Sequence, residues 1–137
     1  MRARFAAVLL AAGLMTMSCG GITDPSQNTV QTASGAFSPG GQSVGIPFTA
    51  SNGGELTVRI TALAPNSQTY VGIYWLQDAS GGACSSYGGA LYQSGFAQVN
   101  VPAITGAQIT KGQYCIVLYD SVGLSQTETF TIQISHP

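Results

Sequence analysis

The sequence predicts an all-β, antiparallel sandwich that forms a single domain behind an apolar leader. Three observations carry that expectation. Apolar and polar residues alternate with period two from Val44 onward. Turn signals rich in Gly, Asn, Pro and Ser separate the alternating segments every ten to twenty residues. No segment after the leader repeats its apolar residues at helical spacing. Alternation sends one parity to a core face and the other to solvent, and several short strands of this kind pack as two facing sheets.

The leader comes first. Arg2 and Arg4 precede an almost unbroken apolar stretch from Phe5 to Met15. So short a stretch suits a signal peptide, because a spanning helix needs roughly 20 apolar residues. No later segment approaches that length. Cys19 closes the run in Leu14-Met15-Thr16-Met17-Ser18-Cys19-Gly20-Gly21 and opens a polar stretch.

That arrangement resembles the processing site of a bacterial lipoprotein. There a Leu-like residue stands three positions before the modified cysteine, a small residue two before, and Gly, Ala or Ser immediately before. Ser18 matches, whereas Thr16 and Met17 depart from the pattern. The resemblance implies cleavage after Ser18, a diacylglycerol at Cys19 and membrane contact through that lipid. Ordinary signal-peptidase cleavage, leaving Cys19 as a thiol, is the competing reading. Gly20 is not the aspartate of inner-membrane retention, which in a two-membrane envelope implies an outer-membrane lipoprotein. The expected organisation is therefore a signal peptide at 1–18, a lipid-attachment cysteine with a flexible stalk at 19–31, and a sandwich at 32–137. The stalk is rich in Gly, Thr, Ser, Gln and Asn with little apolar content. About 110 residues remain behind it, enough for one modest core.

Within the domain, Val44, Ile46 and Phe48 alternate up to the turn Ser51-Asn52-Gly53-Gly54. Leu56, Val58, Ile60 and Ala62 then share one face of the clearest strand, opposite Glu55, Thr57, Arg59 and Thr61. Pro65-Asn66-Ser67 marks the next turn. Thr69 to Leu76 is apolar on both parities, which predicts a central strand or one with aromatic residues on its outer face. Asp78-Ala79-Ser80-Gly81-Gly82 ends it. Ala90 to Gln93 and Ala97 to Val101 are weaker segments. Gly112 to Tyr119 is strong, with Tyr114, Ile116 and Leu118 opposed to Cys115, Val117 and Tyr119. Thr127 to Ser135 closes the domain with Phe130, Ile132 and Ile134 inward.

Three of these blocks resemble the bacterial pre-peptidase C-terminal domain. They are Gly54 to Ile60, Tyr70 to Tyr74, and Gly112 to Asp120 followed by Phe130 to Ile134. The resemblance spans roughly Thr32 to Pro137 and rests on alternation and turn glycines. It implies a jelly-roll-like sandwich of the kind appended to secreted enzymes and surface proteins. No protease module accompanies it within these 137 residues, so roles that depend on such a partner do not carry over.

Cysteine count bears on the same question. With Cys19 lipidated, Cys84 and Cys115 remain as a pair, and an oxidising compartment would join them. A zinc site would need four ligands, and only His136 is available to join the sulfurs. Charge excludes further classes. Once Arg2 and Arg4 are removed, Arg59 and Lys111 stand against five carboxylates, a formal balance of −3. A nucleic-acid binder needs a basic stripe and a polybasic membrane patch needs the same, so neither is expected.

No catalytic constellation emerges. His136, next to last, is expected to be a solvated terminal residue, since a frayed end cannot hold a triad imidazole. Asp78 and Asp120 follow strands and are expected to bond their own turns; a weak calcium site at either would need more carboxylates than stand nearby. Gly81-Gly82 and Gly88-Gly89 open no helix and carry no lysine, so they are not phosphate loops.

Aromatic residues remain. Tyr70, Tyr74, Trp75, Tyr87, Tyr92, Phe96, Tyr114 and Tyr119 are many for so short a region. Tyr70 and Tyr74 share a parity across Gly72, and with Tyr92 they form the candidate ligand face, suited to sugar rings or a protein partner. The competing reading has one parity filling the core and the other lying beneath a Cys84–Cys115 loop. Exposure of Tyr70, Tyr74 and Trp75 separates the two. The functional expectation is an exported, lipid-anchored module of the cell envelope that binds a protein or polysaccharide without catalysis, cofactor or metal. An accessory subunit without a ligand of its own is the first alternative, and a carbohydrate-binding module using the Tyr70, Tyr74 and Tyr92 face is the second.

Overall fold

Alternation becomes pairing in the computed structural model, which describes residues 25–82, 84 and 89–137. The leader, Cys19 and Tyr87 lie outside the described residues. A 3-10 turn at Pro25–Gln27 leads into β1 (Thr29–Phe37), β2 (Ile46–Ala50), β3 (Gly54–Ala64) and β4 (Val71–Gln77). The chain continues through β5 (Tyr92–Ala97), β6 (Pro102–Ile109), β7 (Gly112–Tyr119) and β8 (Glu128–His136). Two four-stranded sheets result, in the orders β1-β8-β3-β6 and β2-β7-β4-β5, and every pairing of strands is antiparallel.

The topology has a simple description. β4 pairs with β5, β3 with β6, β2 with β7 and β1 with β8, as in one long hairpin. Rolling that hairpin on itself adds the β4–β7 and β3–β8 pairings and yields a jelly roll, whose two sheets face one another across a single core. The core is filled by the inward parity of each strand: Leu56, Val58 and Ile60 from β3, Ile116 and Leu118 from β7, and Ile132 and Ile134 from β8, all fully buried. Each such side chain contributes roughly 1.5–3 kcal/mol of transfer free energy. β4 lies between β7 and β5, the central position expected from its apolar residues on both parities.

Four features differ from the sequence expectation. β1 begins at Thr29, so the last three residues of the expected stalk belong to the sandwich. The alternation of β1 is faint because its core face carries little of its own bulk. Gly35 stands opposite Phe130, and a Cβ on it would lie 2.7 Å from Phe130 Cζ, so the neighbouring ring fills the space. In the expected strand from Ala97 to Val101, the ladder with β4 instead ends at Ala97, and Val99 makes an isolated parallel bridge to Ile60. The chain then turns through Asn100 at positive φ, and β6 begins at Pro102. Val44 precedes β2 and is exposed rather than sharing the face of Ile46 and Phe48.

His136 is the fourth difference. It is buried at the end of β8 with its ring 5.1 Å from that of Phe48, and the Ser51 N–H donates to the Pro137 carbonyl at 2.9 Å. The C-terminal residues are docked because β8 is paired on both sides, by β1 and by β3.

Candidate functional site

Residues directly opposite each other in antiparallel strands share a face. On the outer face of the β2-β7-β4-β5 sheet, Tyr119 stands opposite Gly72, and Tyr74 stands opposite Gln93. Gln42, on the approach to β2, forms an isolated bridge with Tyr119. Register alone thus brings Gln42, Tyr74, Gln93 and Tyr119 together from four separate segments.

Gly72 sets the level at which the aromatic rings lie. A Cβ there would fall 2.1 Å from Tyr119 Cζ and 2.3 and 2.4 Å from its two Cε atoms. Contact with all three atoms at nearly equal distance is face-on, so the ring lies flat over the glycine. A bare glycine in a strand is commonly covered in this way by an aromatic ring from the next strand. The Tyr74 ring stands 5.9 Å from that of Tyr119 at an interplanar angle of 46°. Gly72→Ala is expected to lift Tyr119 off the sheet and to cost about 1–3 kcal/mol through overpacking, measured by thermal unfolding with near-ultraviolet circular dichroism as the reporter of the tyrosine environment.

Hydrogen bonds fix the polar groups around these rings. The Tyr74 hydroxyl donates to Gln42 Oε1 at 2.9 Å, and Gln93 Nε2 donates to the Tyr119 hydroxyl at 2.9 Å. With Gly40, Gly41 and Asp120, these side chains line an open hollow of about 360 Å³.

Asp120 organises the rim. Its carboxylate accepts from the Gly40 and Leu124 amides at 2.8 Å each, and from the Val122 and Gly123 amides at 3.0 and 2.8 Å. Gly40 adopts a positive φ of 66°, a conformation glycine takes without strain, to present its N–H there. One carboxylate therefore joins the β1–β2 and β7–β8 loops. Desolvation pushes its pKa up, but the four amide donors outweigh that and hold it below the ordinary carboxylate value. A carboxyl lowered in the folded state stabilises fully above its unfolded pKa, about 3.9, and that contribution is lost as pH falls through the folded value. Asp120→Asn is therefore expected to lower the melting temperature at neutral pH, with a deficit that narrows below about pH 4. Melting curves across the acid range check this, and a deficit independent of pH would contradict it.

The other end of the same face is closed by the expected disulfide. Cys84 and Cys115 are joined, with Cα atoms 5.9 Å apart, and the bridge packs with Leu76 and Tyr74 over the outer side of β4 and β7. Asp78 lies beside the sulfurs, and its carboxylate accepts from Ser80 Oγ, from the Ser80 and Gly82 amides at 2.9 and 2.6 Å, and from the Cys84 amide at 3.4 Å. The Ser80 hydroxyl leads in holding its pKa low. Asp78, Cys84 and Cys115 cluster closely enough to suggest a metal site, but disulfide sulfurs present no thiolate to a metal. Both aspartates thus perform the turn chemistry expected of them.

The candidate face of Tyr70, Tyr74 and Tyr92 is divided. Tyr74 lines the hollow. Tyr70, 44% exposed, lies apart from it and meets the exposed Phe96 edge-on at 6.0 Å. Tyr92 stands opposite Trp75 and so belongs to the other face of the sheet, where its hydroxyl donates to the Ala103 carbonyl at 3.3 Å and bridges the β5 and β6 edges. Trp75 is buried against Tyr114, with ring centroids 5.6 Å apart. Sequence reasoning missed Tyr119, Gln42 and Gln93 as members of the site. The parity of Tyr119 was visible, but its position over Gly72 depends on strand register, which the sequence does not display.

No protein-family model and no curated protein sequence matches the chain. Among solved structures, the chain is similar to the Yersinia pseudotuberculosis-derived mitogen. The TM-score is 0.51 at 14% identity, over 80% of this chain and 87% of that one. At that identity the likeness is one of fold: both chains form a β-sandwich.

Proposed function

We propose that the protein is an exported, lipid-anchored module of the cell envelope that binds through the Tyr74–Tyr119 hollow without catalysing a reaction. The observation that carries this reading is the prearranged set of two aromatic rings and two carboxamides on the outer face of the sheet. Binding rather than catalysis is supported by the engagement of the titratable groups. Asp78 and Asp120 are occupied by loop donors, Glu128 by the backbone and side chain of Asn66, and the His136 ring lies against Phe48. General acid–base chemistry needs such groups within reach of a substrate. The anchor reading rests on Cys19 and the leader before it, and segment 20–28 between that cysteine and β1 reaches at most about 30 Å.

The exposed Tyr70–Phe96 pair favours a second reading, an accessory subunit that docks a protein through this edge. Co-sedimentation of the unlipidated Cys19→Ser chain with envelope fractions distinguishes the two. Retention lost in Gln93→Ala and kept in Phe96→Ala supports the hollow, and the reverse pattern supports the accessory role. Mass spectrometry of the mature N-terminus tests the anchor: diacylglycerol on Cys19 is expected, and an unmodified N-terminus at or beyond it would remove the tether.

A further inference from the structure

We infer that the ligand of the hollow is a neutral glycan, taken with the C–H face of one sugar ring on Tyr119 and its hydroxyls on Gln42 and Gln93. The inference rests on the binding role proposed above and names its chemical class.

Shape is the first argument. The Tyr119 ring lies flat over Gly72, so its opposite face is the one turned outward. The face of an aromatic ring carries partial negative charge and attracts the partially positive C–H bonds that line one side of a pyranose. Tyr74, tilted 46° beside it, forms a wall rather than a second floor. The hollow of about 360 Å³ falls within the size range of small-ligand sites, and its open mouth suits one residue of a longer chain.

Hydrogen-bonding capacity is the second. Tyr74 donates to Gln42 Oε1, which points the Gln42 amide protons elsewhere, and no described residue accepts them. Gln93 spends one amide proton on Tyr119, while its Oε1 receives no donor among the described residues. The Tyr119 hydroxyl, having accepted from Gln93, keeps its own proton to give. Donors and acceptors therefore alternate around the ring platform. Hydroxyl groups, which both donate and accept, match that alternation better than an anion, which accepts alone, or an ammonium group, which donates alone.

Charge is the third. Among the described residues the one charged side chain lining the hollow is Asp120, and its two oxygens already accept four amide protons. Among the described residues no basic side chain lines the hollow to hold phosphate or sulfate, and Arg59 is engaged on the other sheet with the Asn100 carbonyl. The ligand is accordingly uncharged.

Heteronuclear NMR on the unlipidated chain, Cys19→Ser, tests this with hexasaccharides of glucose, N-acetylglucosamine, mannose and xylose as probes and inorganic phosphate as the anionic control. At least one neutral probe is expected to shift the side-chain amide signals of Gln42 and Gln93 and the ring signals of Tyr119. Gln42→Ala and Gln93→Ala alter exposed side chains, so both variants should keep the native spectrum. Each should weaken binding about tenfold, the loss of roughly one net hydrogen bond. Absence of these shifts with every neutral probe, or shifts with phosphate alone, would overturn the inference. Envelope material treated with periodate separates this failure from that of the binding role. Retention abolished by periodate, or by a muramidase where N-acetylamino sugars lack the vicinal diol that periodate cleaves, supports a glycan. Retention that survives both treatments overturns the glycan and leaves the binding role standing. No retention on untreated material would overturn both.

Discussion

Phe130→Ala is expected to lower the unfolding free energy by about 3–5 kcal/mol, the largest effect of any single truncation considered. Phe130 is buried in β8 between Gly35 of β1 and Leu63 of β3, and its ring lies 6.1 Å from that of Phe37. An ordinary cavity could shrink as neighbouring side chains lean in. Here one of those neighbours is a glycine with nothing to contribute, so the void would persist and β1 would lose the bulk that seats it. A domain of this size has about 5–15 kcal/mol in total, so the variant would approach the limit of folding. Chemical denaturation measures the loss. Phe130→Leu should recover much of it, and a cost below about 1 kcal/mol for the alanine variant would show that β1 is held by its backbone ladder rather than by this ring.

Removing the Cys84–Cys115 bridge should cost about 3–4 kcal/mol, mainly through the freedom returned to the unfolded chain. The two cysteines are 31 residues apart in sequence, one in the β4–β5 connection and the other in the middle of β7. Loss of the bridge also uncovers Leu76, which is buried in the small cluster beneath it. The main core lies between the sheets and does not depend on the bridge, so the double variant Cys84→Ser, Cys115→Ser is expected to fold. Its unfolding midpoint should move to lower denaturant with little change in the core. Coincident unfolding curves for oxidised and fully reduced protein, with reduction verified by thiol counting, would contradict this.

How much of the molecule was legible in the sequence differed from strand to strand. β8 announces itself because Phe130, Ile132 and Ile134 fill its inward positions and period two survives along it. β3 keeps that period only to Ile60, where a register shift turns the expected core residue Ala62 outward and Leu63 inward. β7 is legible as a run buried on both faces. β1 and β6 are quiet for physical reasons. β1 depends on a ring borrowed from β8, and β6 pairs with β3 through register shifts and carries Gly106 at positive φ, which breaks the parity of Ile104 and Ile109. The pairing of Cys84 with Cys115 was expected from cysteine count only with Cys19 set aside for a lipid. The candidate face was half legible: Tyr74 belonged to it and Tyr92 did not, because a side chain's face depends on which residue it meets across the ladder. Gln42 was out of reach altogether, since it joins the site through a bridge to Tyr119 from outside any named strand.

The central claim is that the outer hollow, rather than some other surface, receives the ligand. Hydrogen–deuterium exchange with and without envelope fractions tests this most directly. Amides inside β4 and β7 are already paired on both sides and will report little. The informative segments are 40–43, 120–124 and the edge strand β5. Binding at the hollow should slow exchange in these three segments together and leave the turns at 65–70 and 98–101 unchanged. Protection confined to those turns, or no protection at all in segments 40–43 and 120–124, would contradict the account.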